Sequence, residues 1–162
     1  MKKLLICILV ATMILSFASC KTPEENIEEG GKVYTFTAGI TKIAINAEVA
    51  PVLEALGDWS SYDESASCAF EGLDKIYTYD GFEITTYPLN GKDYIFLIDV
   101  YADNVVTEEG IRIGDIKPSV IATYGFPDKE TSNSLVYNGN GMYLQFLFEE
   151  DEVTRIQYFK QN

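Results

Sequence analysis

The sequence predicts an α+β fold: two tandem units, each a short helix plus a three-stranded antiparallel meander, sheets side by side with helices on one face. Three observations carry this. A segment punctuated by Pro and closed by Gly occurs twice, at residues 46–57 and 114–125. Runs rich in β-branched and aromatic residues follow each of them. Those runs are divided by Asp80-Gly81 and Asn90-Gly91 in the first unit and by Gly139-Asn140-Gly141 in the second. Asp-Gly and Asn-Gly favour the positive φ angles of a tight hairpin turn.

The chain begins with an address. Lys2 and Lys3 precede an apolar run from Leu4 to Phe17. That run is shorter than the about 20 residues of a membrane span and fits a secretory h-region. It ends in Phe17-Ala18-Ser19-Cys20, which resembles a bacterial lipobox. The resemblance implies a signal peptide over 1–19, cleavage before Cys20, and a diacylglyceryl group on the Cys20 sulfur. The chain would then be anchored to a membrane without spanning it. A plain signal peptide cut near Ser19 is the alternative. Residues 20–32 follow as an acidic tether without apolar periodicity, with a reach of ~20 Å. One globular domain fills 33–162, with unit one at about 33–106 and unit two at about 107–162.

In unit one, 33–37 and 41–45 read as an extra strand or hairpin. Residues 46–57 read as a short helix, with Asn46 as its cap, Pro51 in its first turn and Gly57 at its end. Residues 58–74 read as a polar loop carrying Trp59 and Tyr62. These close over the core edge or touch a ligand. Strands at 75–79, 82–87 and 92–101 form the meander. Residues 107–110 link the units. Unit two repeats the plan with a helix over 114–125, capped by Asp115, with Pro118 and Gly125 in the matching places. Val52, Leu53, Leu56 and Gly57 align with Val120, Ile121, Tyr124 and Gly125. Strands follow at 135–138, 142–148 and 153–159. The acidic turn 149–152 lacks the ligand spacing of a calcium loop and reads as a solvated hairpin tip.

Composition narrows the function. The 162 residues include 12 Lys and Arg, 25 Asp and Glu and no His, for a net charge of −13. Without His there is no Ser-His-Asp or Cys-His catalysis and no imidazole base. The acidic balance argues against nucleic acid. No phosphate-cradling or dinucleotide glycine motif occurs. Neither a cofactor nor a metal is expected. Cys7 leaves with the signal and Cys20 carries lipid, so Cys68 has no intrachain partner and is expected to be a small buried residue, the alternative being an intermolecular disulfide or reactive thiol.

The helix-and-meander repeat, carried by Ile113-Gly114-Asp115, Val120, Tyr124-Gly125 and the strand from Met142 to Phe148, resembles the β-lactamase-inhibitor-protein fold. It is similar also to that fold's single-unit relatives, the BamE-type outer-membrane assembly lipoproteins. The resemblance implies a sheet surface that binds another protein. The inhibitor family's disulfides cannot form here, which argues against a role on β-lactamases.

Two-residue turns fix register, so faces follow. The turns pair Tyr77 with Ile84, Tyr87 with Tyr94 and Thr85 with Phe96. Tyr77, Tyr79, Phe82, Ile84, Ile95 and Leu97 are expected to meet the helix. Thr78, Glu83, Thr85, Tyr87, Tyr94, Phe96 and Ile98 are expected on the other face. In unit two Leu144, Phe146, Ile156 and Tyr158 look inward and Tyr143, Gln145, Arg155 and Gln157 outward. The expected binding residues are Tyr87, Tyr94, Phe96, Tyr143, Gln145 and Arg155, because Tyr and Arg supply contact area with a polar handle. The competing reading makes Tyr87, Tyr94 and Phe96 a second small core, covered by the early strands or the 58–74 loop.

The expected function is a lipid-anchored, extracytoplasmic, non-catalytic binding module. Its partners are the bacterial membrane, through the anchor, and a protein or cell-envelope ligand on the outer sheet face. The alternative is an assembly accessory of an envelope complex. A small hydrolase using paired carboxylates is the third reading.

Overall fold

The computed structural model describes residues 31–69 and 71–161. The expected signal peptide, Cys20 and most of the expected tether lie outside the described residues. In chain order the elements are β1 (Phe36–Ala38), β2 (Thr41–Ile43), α1 (Val49–Leu56), β3 (Ser61–Ala66), β4 (Leu73–Tyr79), β5 (Phe82–Leu89) and β6 (Lys92–Val100). Then come α2 (Lys117–Tyr124), β7 (Lys129–Glu130), β8 (Ser134–Asn138), β9 (Met142–Glu149) and β10 (Glu152–Lys160).

This corrects the expected fold class. The chain is mostly β. One continuous eight-stranded sheet runs β3-β4-β5-β6-β10-β9-β8-β7, and β1 and β2 form a separate two-stranded sheet. There are not two meanders lying side by side. The last strands of the two halves, β6 and β10, hydrogen-bond to each other antiparallel, from Ile156 opposite Val100 to Phe159 opposite Leu97. Each half also carries a fourth strand at its outer edge. Ser61–Ala66, expected as loop, pairs along its whole length with β4. All six residues are exposed, so backbone pairing holds this strand and no apolar alternation marks it.

One core lies on one face of the sheet. Ile84, Ile95, Ile98, Leu135, Leu144, Phe146 and Ile156 are fully buried there. The β1–β2 hairpin and both helices contribute to the same cluster through Phe36, Ile43, Val49, Val52 and Val120. Phe36 wedges between Phe82 and Tyr158, with ring centroids 4.9 and 5.7 Å away. Helices of two turns are not stable alone, so this packing holds them.

The helix starts differ from expectation. Glu48 and Ile116, not Asn46 and Asp115, occupy the N-cap positions, and neither helix has a side-chain cap. Asn46 stands outside α1 with φ of 66°. Its backbone N–H donates to Ile95 O at 2.9 Å, so it extends the sheet alongside β6. Asp115 Oδ2 instead accepts from Arg112 N–H at 2.9 Å. Both helices end at the expected glycines, at positive φ but with ψ of −152° and −164°, outside the left-handed helical region. Gly57 and Gly125 donate to Leu53 O and Ile121 O at 3.0 and 2.9 Å.

A bulge re-aims the first sheet half. Thr85 pairs with Leu97 and Thr86 with Ile95, which leaves Phe96 as an extra residue. Leu97 and Ile98 therefore exchange the faces expected for them. Ile98 is fully buried opposite Ile84, while Leu97 joins the outer face. A second bulge between Val153 and Arg155 lets Val153 and Ile156 both point into the core.

Candidate functional site

The outer face of the sheet carries the candidate residues, and the structure divides them into three groups. Tyr143 and Gln145 alternate along β9 with the buried Met142, Leu144 and Phe146, so they point away from the core. With Leu147 from the same strand they form the floor of an open groove of about 780 Å³. Ser134, Val136 and Asn138 of β8 and Phe159 of β10 extend that floor, and Asp128, Lys129, Thr131 and Asn133 line it from β7 and its flanks. Tyr143 and Phe159 are directly opposite in register, and their rings pack with centroids 5.2 Å apart.

The groove wall is built by local hydrogen bonds. Asn138 N–H donates to Asp128 Oδ2 at 2.7 Å, and Asp128 N–H donates to Val136 O at 2.9 Å. The Thr131 and Ser134 hydroxyls lie 2.6 Å apart. These ties fold the 128–134 segment back beside β8. Sequence reasoning missed Val136, Leu147, Phe159 and the whole wall. Alternation from Tyr143 would have found Leu147, and the Tyr158 partner would have found Phe159. The wall residues carry no periodic signal.

Tyr87, Tyr94 and Phe96 form a separate cluster on the first sheet half. Tyr87 is buried, and the rings of Tyr94 and Phe96 lie 5.9 and 6.4 Å from it. Ser67 and Ala69 of the β3–β4 loop border the small cavity beside Tyr87 and Phe96. Tyr87 donates to Asn46 Oδ1 at 3.3 Å, and Lys160 Nζ sits 5.7 Å from its ring centroid. Tyr87 is thus packed as in a second small core, while Tyr94 and Phe96 stay half-buried at its edge.

Arg155 stands apart again. It is ion-paired with Asp99 across the β6–β10 seam. Burial pushes the Asp99 carboxyl above its ordinary value, Arg155 opposes that rise, and Glu83 opposite it in register adds to it. Arg155 thus serves a buried carboxylate first.

The geometry bears on two further sequence expectations. Cys68 is exposed, not buried, in the loop between β3 and β4. Trp59 and Tyr62 lean on Tyr77, with centroids 5.2 Å from its ring in each case, yet keep 44% and 40% exposure. A hydrogen bond to Glu64 pushes the Tyr62 hydroxyl up to about 12. No helix among the described residues is long and apolar enough to cross a membrane.

No protein-family model matches the sequence, and no curated protein matches it either. The fold is similar to the crystal structure of an extracellular protein containing a SCP domain from Bacillus anthracis str. Ames. The TM-score is 0.53 at 12% identity, covering 72% of this chain and 44% of that one. The match therefore spans less than half of that protein, and at this identity the likeness is one of fold.

Proposed function

We propose that this chain is an extracytoplasmic, non-catalytic binding module, anchored to a bacterial membrane through lipid on Cys20, that takes its ligand on the outer sheet face. The ligand is a protein or another cell-envelope component. The observation that carries this reading is the groove of about 780 Å³ over β8, β9 and β10, floored by Tyr143, Gln145, Leu147 and Phe159. Its size lies within the range of specific ligand sites. The sequence supports export through the basic and apolar leader and the lipobox-like Phe17-Ala18-Ser19-Cys20. The fold neighbour is itself described as an extracellular protein, which agrees with a place outside the cytoplasm.

Binding is favoured over hydrolysis by the groove's composition. Hydrolysis by paired carboxylates needs two acids about 5–10 Å apart facing one substrate. The groove is lined by one acid, Asp128, and its carboxylate already accepts the Asn138 N–H.

The test is to fill the groove. The C-terminally tagged full chain and its Gln145→Trp variant are incubated with solubilised envelope and with culture medium of the source cell. Eluates are analysed for protein and for carbohydrate. A ligand held by the wild type and lost by a folded Gln145→Trp variant is the expected result. Equal retention by both, or none by either, overturns the outer-face reading.

A further inference from the structure

The groove's lining names a ligand class. We infer that the groove over β8–β10 binds a neutral, hydroxyl-rich glycan, with Tyr143 and Phe159 as its stacking floor and Asn133, Asn138 and Gln145 as its hydrogen-bonding groups. This rests on the outer-face reading above and deepens it.

Charge is the first argument. The protein carries a net −13, yet the groove is lined by one acid and one base, Asp128 and Lys129, whose charges cancel. The Asp128 carboxylate is turned to the Asn138 backbone. A chain this acidic repels anions at long range, and its many carboxylates elsewhere would hold a basic ligand better than this patch does. A neutral ligand is the one that gains by seating here.

Donor and acceptor chemistry is the second. Side-chain amides offer both N–H donors and a carbonyl acceptor, and each matches a hydroxyl, which is itself donor and acceptor. Asn133 and Asn138 are exposed and Gln145 is half-buried, so their amides are within reach of a ligand. In one row across the sheet with Asn138 lie the rings of Tyr143 and Phe159, 5.2 Å apart with an interplanar angle of 43°, an apolar surface for the C–H face of a sugar ring. Polar groups around an aromatic floor are the common plan of specific small-ligand sites.

Backbone accounting is the third. A peptide that adds to a sheet needs an edge with unpaired N–H and C=O groups. The groove floor is β8, β9 and β10, and each of these strands is paired on both sides. The floor can grip a ligand through side chains only, and the edge strand β7 that borders the groove is two residues long, a short template for an added strand. That suits a glycan.

The experiment is a titration of the isotope-labelled domain, full length from the mature N-terminus, with chitotetraose, cellotetraose and maltotetraose in turn, read by amide shift mapping. At least one should give saturable shifts confined to Asn133, Asn138, Gln145 and Phe159 and their neighbours. Tyr143→Ala should weaken it at least tenfold and Gln145→Ala severalfold, while Trp59→Ala should leave it unchanged. An anionic control, a heparin tetrasaccharide, should bind at least tenfold more weakly. No saturable binding by any of the three, shifts outside the groove, or equal binding of the anion overturns the glycan assignment. If that happens while Gln145→Trp still abolishes capture of an envelope component, the outer-face reading stands and the ligand class alone is wrong.

Discussion

Asp99 and Arg155 meet in an ion pair across the seam where β6 joins β10, the strand pairing that ties the two halves of the large sheet together among the described residues. Asp99 is buried, whereas the Arg155 side chain keeps 45% exposure. Removing one partner of a buried pair leaves the other charge without compensation; here loss of Arg155 strands the buried Asp99, whereas loss of the Asp99 charge leaves an Arg155 that is already solvated. Arg155→Ala should therefore cost about 1–2 kcal/mol at pH 7, less than a fully buried pair because Arg155 is solvated. Asp99→Asn should cost less than that or stabilise. Urea midpoints of the two variants compared with wild type decide it, and the reverse order would contradict the account.

The same pair predicts a pH dependence. Desolvation raises the Asp99 carboxyl above its unfolded value, so folding favours its protonated form. That contribution is fully present below the unfolded carboxylate range of about 4 and is lost as pH rises through the folded value. The deficit of Arg155→Ala relative to wild type should shrink as pH falls from 7 towards 4. A deficit that stays constant over that window would show that Asp99 does not respond to its surroundings in this way.

The Tyr87 cluster predicts a structural cost where a free face would show none. Tyr94 and Phe96 cover the buried Tyr87, and the β3–β4 loop lies beside them. Truncating a fully buried aromatic costs about 3–5 kcal/mol, and these two are half-buried. Tyr94→Ala and Phe96→Ala together should lower stability by about 2–4 kcal/mol while leaving ligand capture at the groove intact. A melting midpoint within a degree or two of wild type would return these residues to the list of binding candidates.

Gly57 and Gly125 end the two helices with φ of 78° and 85°, and a Cβ added at either would touch nothing within 4 Å. The cost of Ala there is therefore conformational alone. With ψ of −152° and −164° both sit in a region open essentially to Gly alone, so Gly57→Ala and Gly125→Ala should each destabilise by about 1–3 kcal/mol, by similar amounts at both sites, as read by chemical denaturation. A loss several times larger at one of them would mean that its helix end makes contacts beyond the backbone turn.

What could be read from the residues, and what could not, follows a physical division. The turns at Asp80-Gly81 and Asn90-Gly91 are local, because positive φ is written into Gly and Asn. Both hairpins pair as those residues dictate, up to the bulge at Phe96. The outward placement of Tyr143 and Gln145 is legible because β9 alternates without interruption. Ser61–Ala66 is illegible as a strand because none of its side chains is buried. The β6–β10 seam is illegible because a pairing between distant strands leaves no local pattern. One bulge residue, Phe96, suffices to reverse the faces of Leu97 and Ile98. The groove is half legible: its floor follows alternation, while its wall depends on hydrogen bonds such as Asn138 to Asp128.

Two core tyrosines predict opposite outcomes for the same substitution. The Tyr158 hydroxyl is buried without a hydrogen-bond partner among the described residues, and burial pushes its pKa well above the ordinary value. The Tyr124 hydroxyl donates to Glu109 Oε2 at 2.6 Å and lies 2.9 Å from Thr107 Oγ1. A buried hydroxyl without a partner costs about 1–3 kcal/mol of desolvation, whereas a hydrogen bond to a charged acceptor contributes about 1.5–3 kcal/mol. Tyr158→Phe should therefore raise the thermal midpoint, with a gain of about 1 kcal/mol, since the ring packing against Phe36 is kept. Tyr124→Phe should lower it by about 1–2 kcal/mol, because Glu109 and Thr107 lose their partner. If both variants moved the midpoint in the same direction, hydroxyl satisfaction would not be what separates these two residues.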